Sequence, residues 1–320
     1  MSDRKVAVIL AAGLGTRMKS PLPKVMHQVL GRPMIGHVVQ TAIDNACDEI
    51  AVVVGYGKEQ VQAYLQDAFP NAPITFHVQE QMNGTGDAVR SAHASYAEGD
   101  PQVAVLCGDV PNLPAALLQQ AFQEQAEHQT PAVVITAIAP PGTAYGRIVR
   151  QDSAQIARIV EFKDADEPTR AIQEINSGSY VFRGAFLREH IGSLTTDNAQ
   201  GEFYLTDLVE IAHKENTPAR ALLADDISTV DGVNTRVHLA AANAVARRLR
   251  NRAWMESGVT LIDPDTAWID VDCELAPDIL IEPNVTLRGR CVIEQGAYIE
   301  SGVRLENAHV QAGERVRANR

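Results

Sequence analysis

"ILAAGLGTRMKSPLPK", residues Ile9 to Lys24, closes a short apolar strand with a turn of small residues and then sets out two separated cations, Arg17 and Lys24. This is the layout of a loop that meets phosphate. Ala11, Ala12, Gly13 and Gly15 leave room for backbone N–H groups to approach an anion, as happens at a helix N-terminus. Charge placed at two points suits a polyphosphate better than a single phosphate. The familiar phosphate loops do not fit. The string G-x-x-x-x-G-K-[ST] is absent, and "GYGKEQ" (Gly55 to Gln60) lacks the hydroxyl that would hold magnesium. Gly13-Leu14-Gly15-Thr16-Arg17-Met18 lacks the third glycine of the dinucleotide fingerprint. No G-x-S-x-G elbow or H-E-x-x-H string supports a hydrolase or a zinc protease. Taken alone, the stretch also admits a purely structural glycine turn.

The surrounding chain narrows the choice. Its 320 residues, 45% hydrophobic and 21% charged, suffice for one large domain or two moderate ones. A net charge of −12 argues against nucleic acid or an anionic membrane surface as partner. A phosphate ligand would therefore need local cations and a metal. No apolar run approaches the ~20 residues of a membrane span, and "MSDRKVAVIL" lacks a signal-peptide layout. A cytoplasmic protein is expected. Cys47, Cys107, Cys273 and Cys291 form no C-x-x-C pair, which points to reduced thiols.

Up to about Asp231, buried-strand runs ("KVAVIL", "EIAVVVG", "QVAVLCGDV", "PAVVITAIA") alternate with amphipathic segments at Met34–Ala46, Lys58–Ala68, Thr85–Ala97 and Ala115–Glu127. Such alternation predicts an α/β fold with a Rossmann-like, mostly parallel sheet. Ligands of such sheets lie beyond the C-terminal strand ends, where "LAAGLGTR" and "CGDVP" both fall. A helix is predicted over Thr235–Glu256, with Val237, Ala241, Val245 and Leu249 on one face and Arg247, Arg248, Arg250 and Arg252 on a solvated opposite face. The period then becomes six. Ile269, Leu275, Ile281, Leu287, Ile293, Ile299 and Leu305 recur without a slip, the first six each followed at the fourth place by a small or apolar residue, Cys273 to Val303. This is a hexapeptide-repeat parallel β-helix of a few coils, each hexad giving one side of a triangle. Cys273 and Cys291, three hexads apart, should stack on neighbouring coils as packing residues. The segments expected are thus 1–234, 235–257 and 258–320.

The ordered set "LAAGLGTRM…LPK", "GRPMIGHV", "GTGDAV", "CGDVP", "YGRIVR", "IVEFKDAD", "EINSGSYVF", "NAQGEFYLTD" and "DGVNTR" resembles the signature of the sugar-nucleotide pyrophosphorylases. With the hexapeptide repeat, it is most similar to their N-acetylglucosamine-1-phosphate uridyltransferase branch. The resemblance implies a nucleotide-diphospho-sugar transferase fold followed by a short left-handed β-helix. It implies Mg²⁺-dependent formation of UDP-N-acetylglucosamine and pyrophosphate from UTP and N-acetylglucosamine 1-phosphate. Leu10, Ala11, Ala12 and Gly13 match the segment meeting the nucleotide, and Arg17 and Lys24 match the catalytic cations on the triphosphate. Gln79, Gly84 and Thr85 match the uracil readers. Gly108 and Asp109 fall in the substrate-binding "GDVP" string, with Asp109 and Asn234 matching the magnesium ligands. Gly146, Glu161 and Asn176 match the residues holding the N-acetylated sugar. Assembly as a homotrimer through the coils is a further implication, left open for so short an array.

The sequence departs from the family at Met82 and Asn83 in "QEQMNGTG", where Q-x-x-Q-L-G-T-G is usual, and at Cys107 and Ser177. These departures keep another sugar 1-phosphate, or dTTP, as the alternative substrate. A non-catalytic hexapeptide scaffold is the alternative of another class. Acetyl transfer, the activity of a long β-helix, is not expected. The chemistry inferred from the residues agrees. A sugar-phosphate oxygen is already anionic, so attack on the α-phosphate needs no general base; it needs alignment and charge neutralisation, which Arg, Lys and oxygen-held Mg²⁺ supply.

Overall fold

The computed structural model describes residues 4–318. In chain order the first eleven strands are β1 (Lys5–Ala11), β2 (Gln28–Val29), β3 (Arg32–Pro33), β4 (Glu49–Val54), β5 (Ile74–Val78), β6 (Gln102–Cys107), β7 (Ala132–Ile138), β8 (Arg147–Arg150), β9 (Gln155–Val160), β10 (Glu174–Arg183) and β11 (Ala219–Leu223). The helices are α1 (Met34–Asp44), α2 (Lys58–Ala68), α3 (Thr85–Ser91), α4 (Ala115–His128), α5 (Glu167–Arg170), α6 (Gly184–His190), α7 (Asp207–Lys214) and α8 (Arg236–Glu256).

Two units form. The first holds the described residues up to Met26 together with Met34–Asn234. It is built on one nine-stranded sheet in the order β5-β4-β1-β6-β10-β7-β11-β9-β8. Traced through the pairings, β4, β5, β6, β7, β8 and β11 run with β1, while β9 and β10 run against it. The apolar runs are continuous because both faces are covered. Ala7, Ile9 and Ala11 of β1 pack in one core with Ile35 and Val38 of α1, Leu65 of α2 and Phe122 of α4. Val6 and Val8 point into the other core, with Val89 of α3, Phe186 of α6 and Leu208 of α7. The segment predicted as helix over Thr85–Ala97 divides: α3 ends at Ser91 and a 3₁₀ turn, His93–Tyr96, follows.

The second unit is His27–Pro33 with Thr235–Arg320. The sequence reading kept residues 27–33 with the first segment; the structure groups this β2–β3 hairpin with α8 and the coil. Leu30 N donates to Asn243 Oδ1 (3.0 Å), and Leu30 O accepts from Val271 N (3.1 Å). Thr235 caps α8, its Oγ1 accepting from His238 N at 3.2 Å. The expected faces of this helix are overturned. Val237 is 77% exposed and Leu249 41%, whereas Ala242, Ala246 and Asn251 are buried. Two of the four arginines pack, while Arg248 and Arg252 stay exposed as expected: Arg247 stacks 4.6 Å over Trp268, and Arg250 lies 4.7 Å over Trp254 and donates to Val271 O at 2.9 Å. Alanines permit close approach and arginine stems cover apolar surface, so an apolar-only pattern misreads this helix.

The coil's short strands, from Thr260–Leu261 to Arg315–Val316, stack in three parallel ladders, one per side of the triangle. Inward positions align as Ile269–Leu287–Leu305, Leu275–Ile293–Val310 and Leu261–Ile281–Ile299–Val316. Val310 and Val316 arrive one residue early, so the last turn is a residue short and the hexad count slips there. Cys273 and Cys291 are buried free thiols in this core. Leu287, fully buried at mid-coil, should cost about 2–5 kcal/mol when replaced by alanine. Urea unfolding measures this; a loss below about 1 kcal/mol would mean that the coil interior is not tightly packed there.

Candidate active site

The turn after β1 is shaped by what lies beneath it. Gly15 has φ +60°, and a Cβ there would come 2.6 Å from Lys24 Cβ, so the loop closes on Lys24 only with glycine at this position. Lys24 Nζ forms an ion pair with Asp109 Oδ2 and donates to Asn234 Oδ1 at 3.2 Å. Arg17 Nη2 donates to the same Asn234 Oδ1 at 2.9 Å. Four residues spread over the chain thus meet at one point. Asp109 is brought there by Gly108, whose N–H donates to Leu10 O at 2.9 Å; a Cβ on Gly108 would press that oxygen at 3.0 Å. Val233 N donates to Asp109 O at 2.9 Å and holds the Gly232–Asn234 segment alongside.

Beside this cluster opens a cleft of about 310 Å³ lined by Leu10, Ala11, Ala12, Gly13, Lys24, Gln79, Gly84, Thr85 and Asp109 among others. Met82, where the sequence departs from its family, and Glu202 line it too. Gly84 has φ +104° and no room for a Cβ, with Phe203 O at 2.7 Å. A second cleft, of about 210 Å³, shares Leu10, Thr85 and Cys107 as common wall and carries Gly146, Glu161 and Asn176. An irregularity in β10 between Asn176 and Ser179, with Gly178 at φ +80°, shapes the strand there. Asn176 Nδ2 donates to Tyr180 OH at 2.7 Å, and its backbone N–H donates to Gly146 O at 2.9 Å. Thr206 Oγ1 donates to Glu161 at 3.3 Å. Burial raises the pKa of the Glu161 carboxyl; the Thr206 hydrogen bond opposes the shift, and the nearby carboxylates Asp164, Asp207 and Glu202 add to it.

Of the residues singled out in the sequence, Arg17, Gly108 and Asn234 lie outside both cleft linings; Gly108 and Asn234 are each hydrogen-bonded to a residue that lines one, and Arg17 shares the Asn234 carboxamide oxygen with Lys24. The sequence reading missed Thr206, Tyr180 and Tyr145. Tyr145 lines the second cleft and donates to Asp231, next to the Gly232–Asn234 segment. The string "YGRIVR" contained Tyr145, but no local pattern announces a partner 86 residues away.

A sheet edge that gathers two cations, a carboxylate and a carboxamide beside two joined clefts suits a nucleotidyltransferase. The MobA-like NTP transferase domain matches residues 7–198. The bifunctional protein GlmU of Shouchella clausii is 40% identical over 313 residues, 98% of this chain and 68% of that protein. GlmU of Trichlorobacter lovleyi is 44% identical over 301 residues, 94% of this chain and 65% of that protein. The chain thus spans about two thirds of the length of these relatives. The crystal structure of UDP-glucose pyrophosphorylase complexed with UDP-glucose superposes with a TM-score of 0.61 at 19% identity, covering 77% of this chain and 99% of that one, a likeness of fold. The chain belongs to the GlmU family, and it is a sugar-1-phosphate nucleotidyltransferase.

Glu161 keeps its proton to higher pH in the fold than in the unfolded chain. Folding therefore takes up a proton between those two values, and stability falls as pH rises through that window. Glu161→Gln should make the protein more stable than its parent near neutral pH, with the gain vanishing below the ordinary glutamate range. Thermal unfolding across pH measures it; equal stability at every pH would contradict the assignment.

Proposed function

We propose that the protein is a cytoplasmic uridyltransferase that forms UDP-N-acetylglucosamine and pyrophosphate from UTP and N-acetylglucosamine 1-phosphate. The observation that carries the reading is Lys24, held between Asp109 and Asn234 on the wall of the first cleft, which shares Leu10, Thr85 and Cys107 with the second. The first cleft takes the nucleotide, with Leu10 to Gly13 along its phosphates; the second takes the sugar, with Gly146, Glu161 and Asn176 around it. A phosphate oxygen of the sugar forms a bond to the α-phosphorus, and the bond from that phosphorus to the β-bridging oxygen breaks, releasing pyrophosphate. Arg17 and Lys24 hold the triphosphate in line and neutralise charge as it moves to the leaving group.

Asp109 and Asn234 suit Mg²⁺ as oxygen donors, and the Lys24 ammonium between them marks a point that already favours a cation. When bound, the ion would supply further neutralisation of the phosphates. No described helix is long and apolar enough to cross a membrane. We read residues 1–234, apart from the hairpin, as the transferase, 235–257 as its connecting helix, and 258–320 as left-handed coil able to assemble three copies; the regular hexads from Ile269 to Leu305 support the coil. Met82 on the wall of the nucleotide cleft favours one second reading, a different base or sugar on the same machinery.

The test is magnesium-dependent pyrophosphate release with UTP or dTTP, each paired with N-acetylglucosamine, glucosamine or glucose 1-phosphate. Release chiefly from UTP with N-acetylglucosamine 1-phosphate is expected. Another preferred pair would overturn the substrate, and silence across the panel would favour the scaffold reading. Asp109→Asn should lower turnover by on the order of 10²-fold or more with an unchanged circular dichroism spectrum. Near-normal rates in that variant would sink the ligand assignment.

A further inference from the structure

Gln79, at the end of β5 and 5% exposed, has its amide nitrogen committed. Nε2 donates to Gly84 O at 3.2 Å and to Asp87 Oδ2 at 3.0 Å. A carbonyl and an ionised carboxylate only accept, so only the NH₂ end of the amide can face them. Flipping the amide would set one oxygen against two others. The other polar atom, Oε1, accepts from no described residue and belongs to a side chain that lines the nucleotide cleft. Asp87 is itself fixed. Its Oδ1 accepts from Arg90 Nη2 at 2.6 Å, and the Arg90 guanidinium lies 4.8 Å over the Phe203 ring.

We infer that Asp87 is a positioning residue that locks Gln79 with its amide oxygen toward the cleft, so that the cleft selects pyrimidines carrying a proton on N3, uracil or thymine, over cytosine. An acceptor oxygen needs a donor opposite it. Uracil N3–H is one; cytosine N3 presents a lone pair, and binding it would bury two facing acceptors. The inference rests on the reading of this cleft as the nucleotide site. It adds that selectivity is set one residue behind the one that touches the base, by a carboxylate that cannot donate.

The experiment is titration calorimetry of UTP and CTP, with magnesium, on the full chain and on Asp87→Ala, Asp87→Asn and Gln79→Ala. The parent should bind UTP at least ~10-fold more tightly than CTP. Asp87→Ala should weaken UTP by ~5- to 10-fold while leaving CTP unchanged or tighter. Asp87→Asn, whose carbonyl can still accept from Nε2, should fall between. Gln79→Ala should abolish the preference. If Asp87→Ala and Asp87→Asn weaken both nucleotides alike, Asp87 is only structural and the inference is overturned. A parent without preference, or a Gln79→Ala variant that keeps it, overturns it too. A chain that binds as expected but releases no pyrophosphate with any sugar phosphate sinks the proposed reaction and leaves this inference standing.

Discussion

Leu10 and Cys107 sit opposite one another where β1 and β6 run side by side in parallel. Because the strands are parallel, both leave the sheet at the same edge, one into the glycine turn and the other into Gly108-Asp109. The hydrogen bond from Gly108 N to Leu10 O carries the pairing one residue past the strand. Asp109 therefore emerges at a fixed height against the loop that delivers Lys24. A slip of two residues would keep every side chain on its own face yet move Asp109 by ~6.6 Å, beyond the reach of the ammonium. The missing side chain at Gly108 permits the close approach that the observed register needs.

The charge arrangement follows from that register. The chain is acidic as a whole, at −12, so an incoming triphosphate meets a favourable field only where cations are held in place. The side chains of Lys24 and Asp109 are 18% and 14% exposed, and the lysine is positioned before any ligand arrives. Ammonium and carboxylate both pay desolvation in such a place, and each needs the other. For Lys24 to engage phosphate it exchanges one anionic partner for another. That costs less than uncovering a bare ammonium, and little structure has to move to bring the charge to bear.

Legibility in the sequence divides along the same physical line. The hexads could be read because each inward place of the coil accepts only a side chain of one size class, so the period is written in Ile and Leu from Ile269 onward. The slip at Val310 shows where that rule relaxes. Helix α8 could not be read in this way, since its buried positions are alanines, Asn251 and arginine stems, which an apolar count passes over. In the site, the glycine turn and "CGDVP" were visible because backbone conformation demands those residues locally. Thr206 on Glu161, Tyr145 on Asp231 and Asp87 on Gln79 were not. Each is an ordinary polar residue whose meaning lies wholly in its partner, and for two of the three the partner is distant in the chain.

The second cleft shows how charge can orient a substrate without touching its charged end. Lysine and arginine are both missing from its described lining; a carboxyl, two hydroxyl-bearing tyrosines, two threonines, a serine and a carboxamide supply its polarity. Such a set pairs with sugar hydroxyls and an acetamido group, which donate and accept in equal measure. It offers nothing to a phosphate dianion, and Glu161, with Asp164, Asp207 and Glu202 near it, would repel one once ionised. In the proposed reaction the phosphate of the sugar is therefore driven toward the shared wall at Leu10, Thr85 and Cys107, on whose far side Lys24 lies. On the proposed reading the sugar is bound by what this cleft contains, and its phosphate is aimed at the α-phosphorus by what the cleft leaves out.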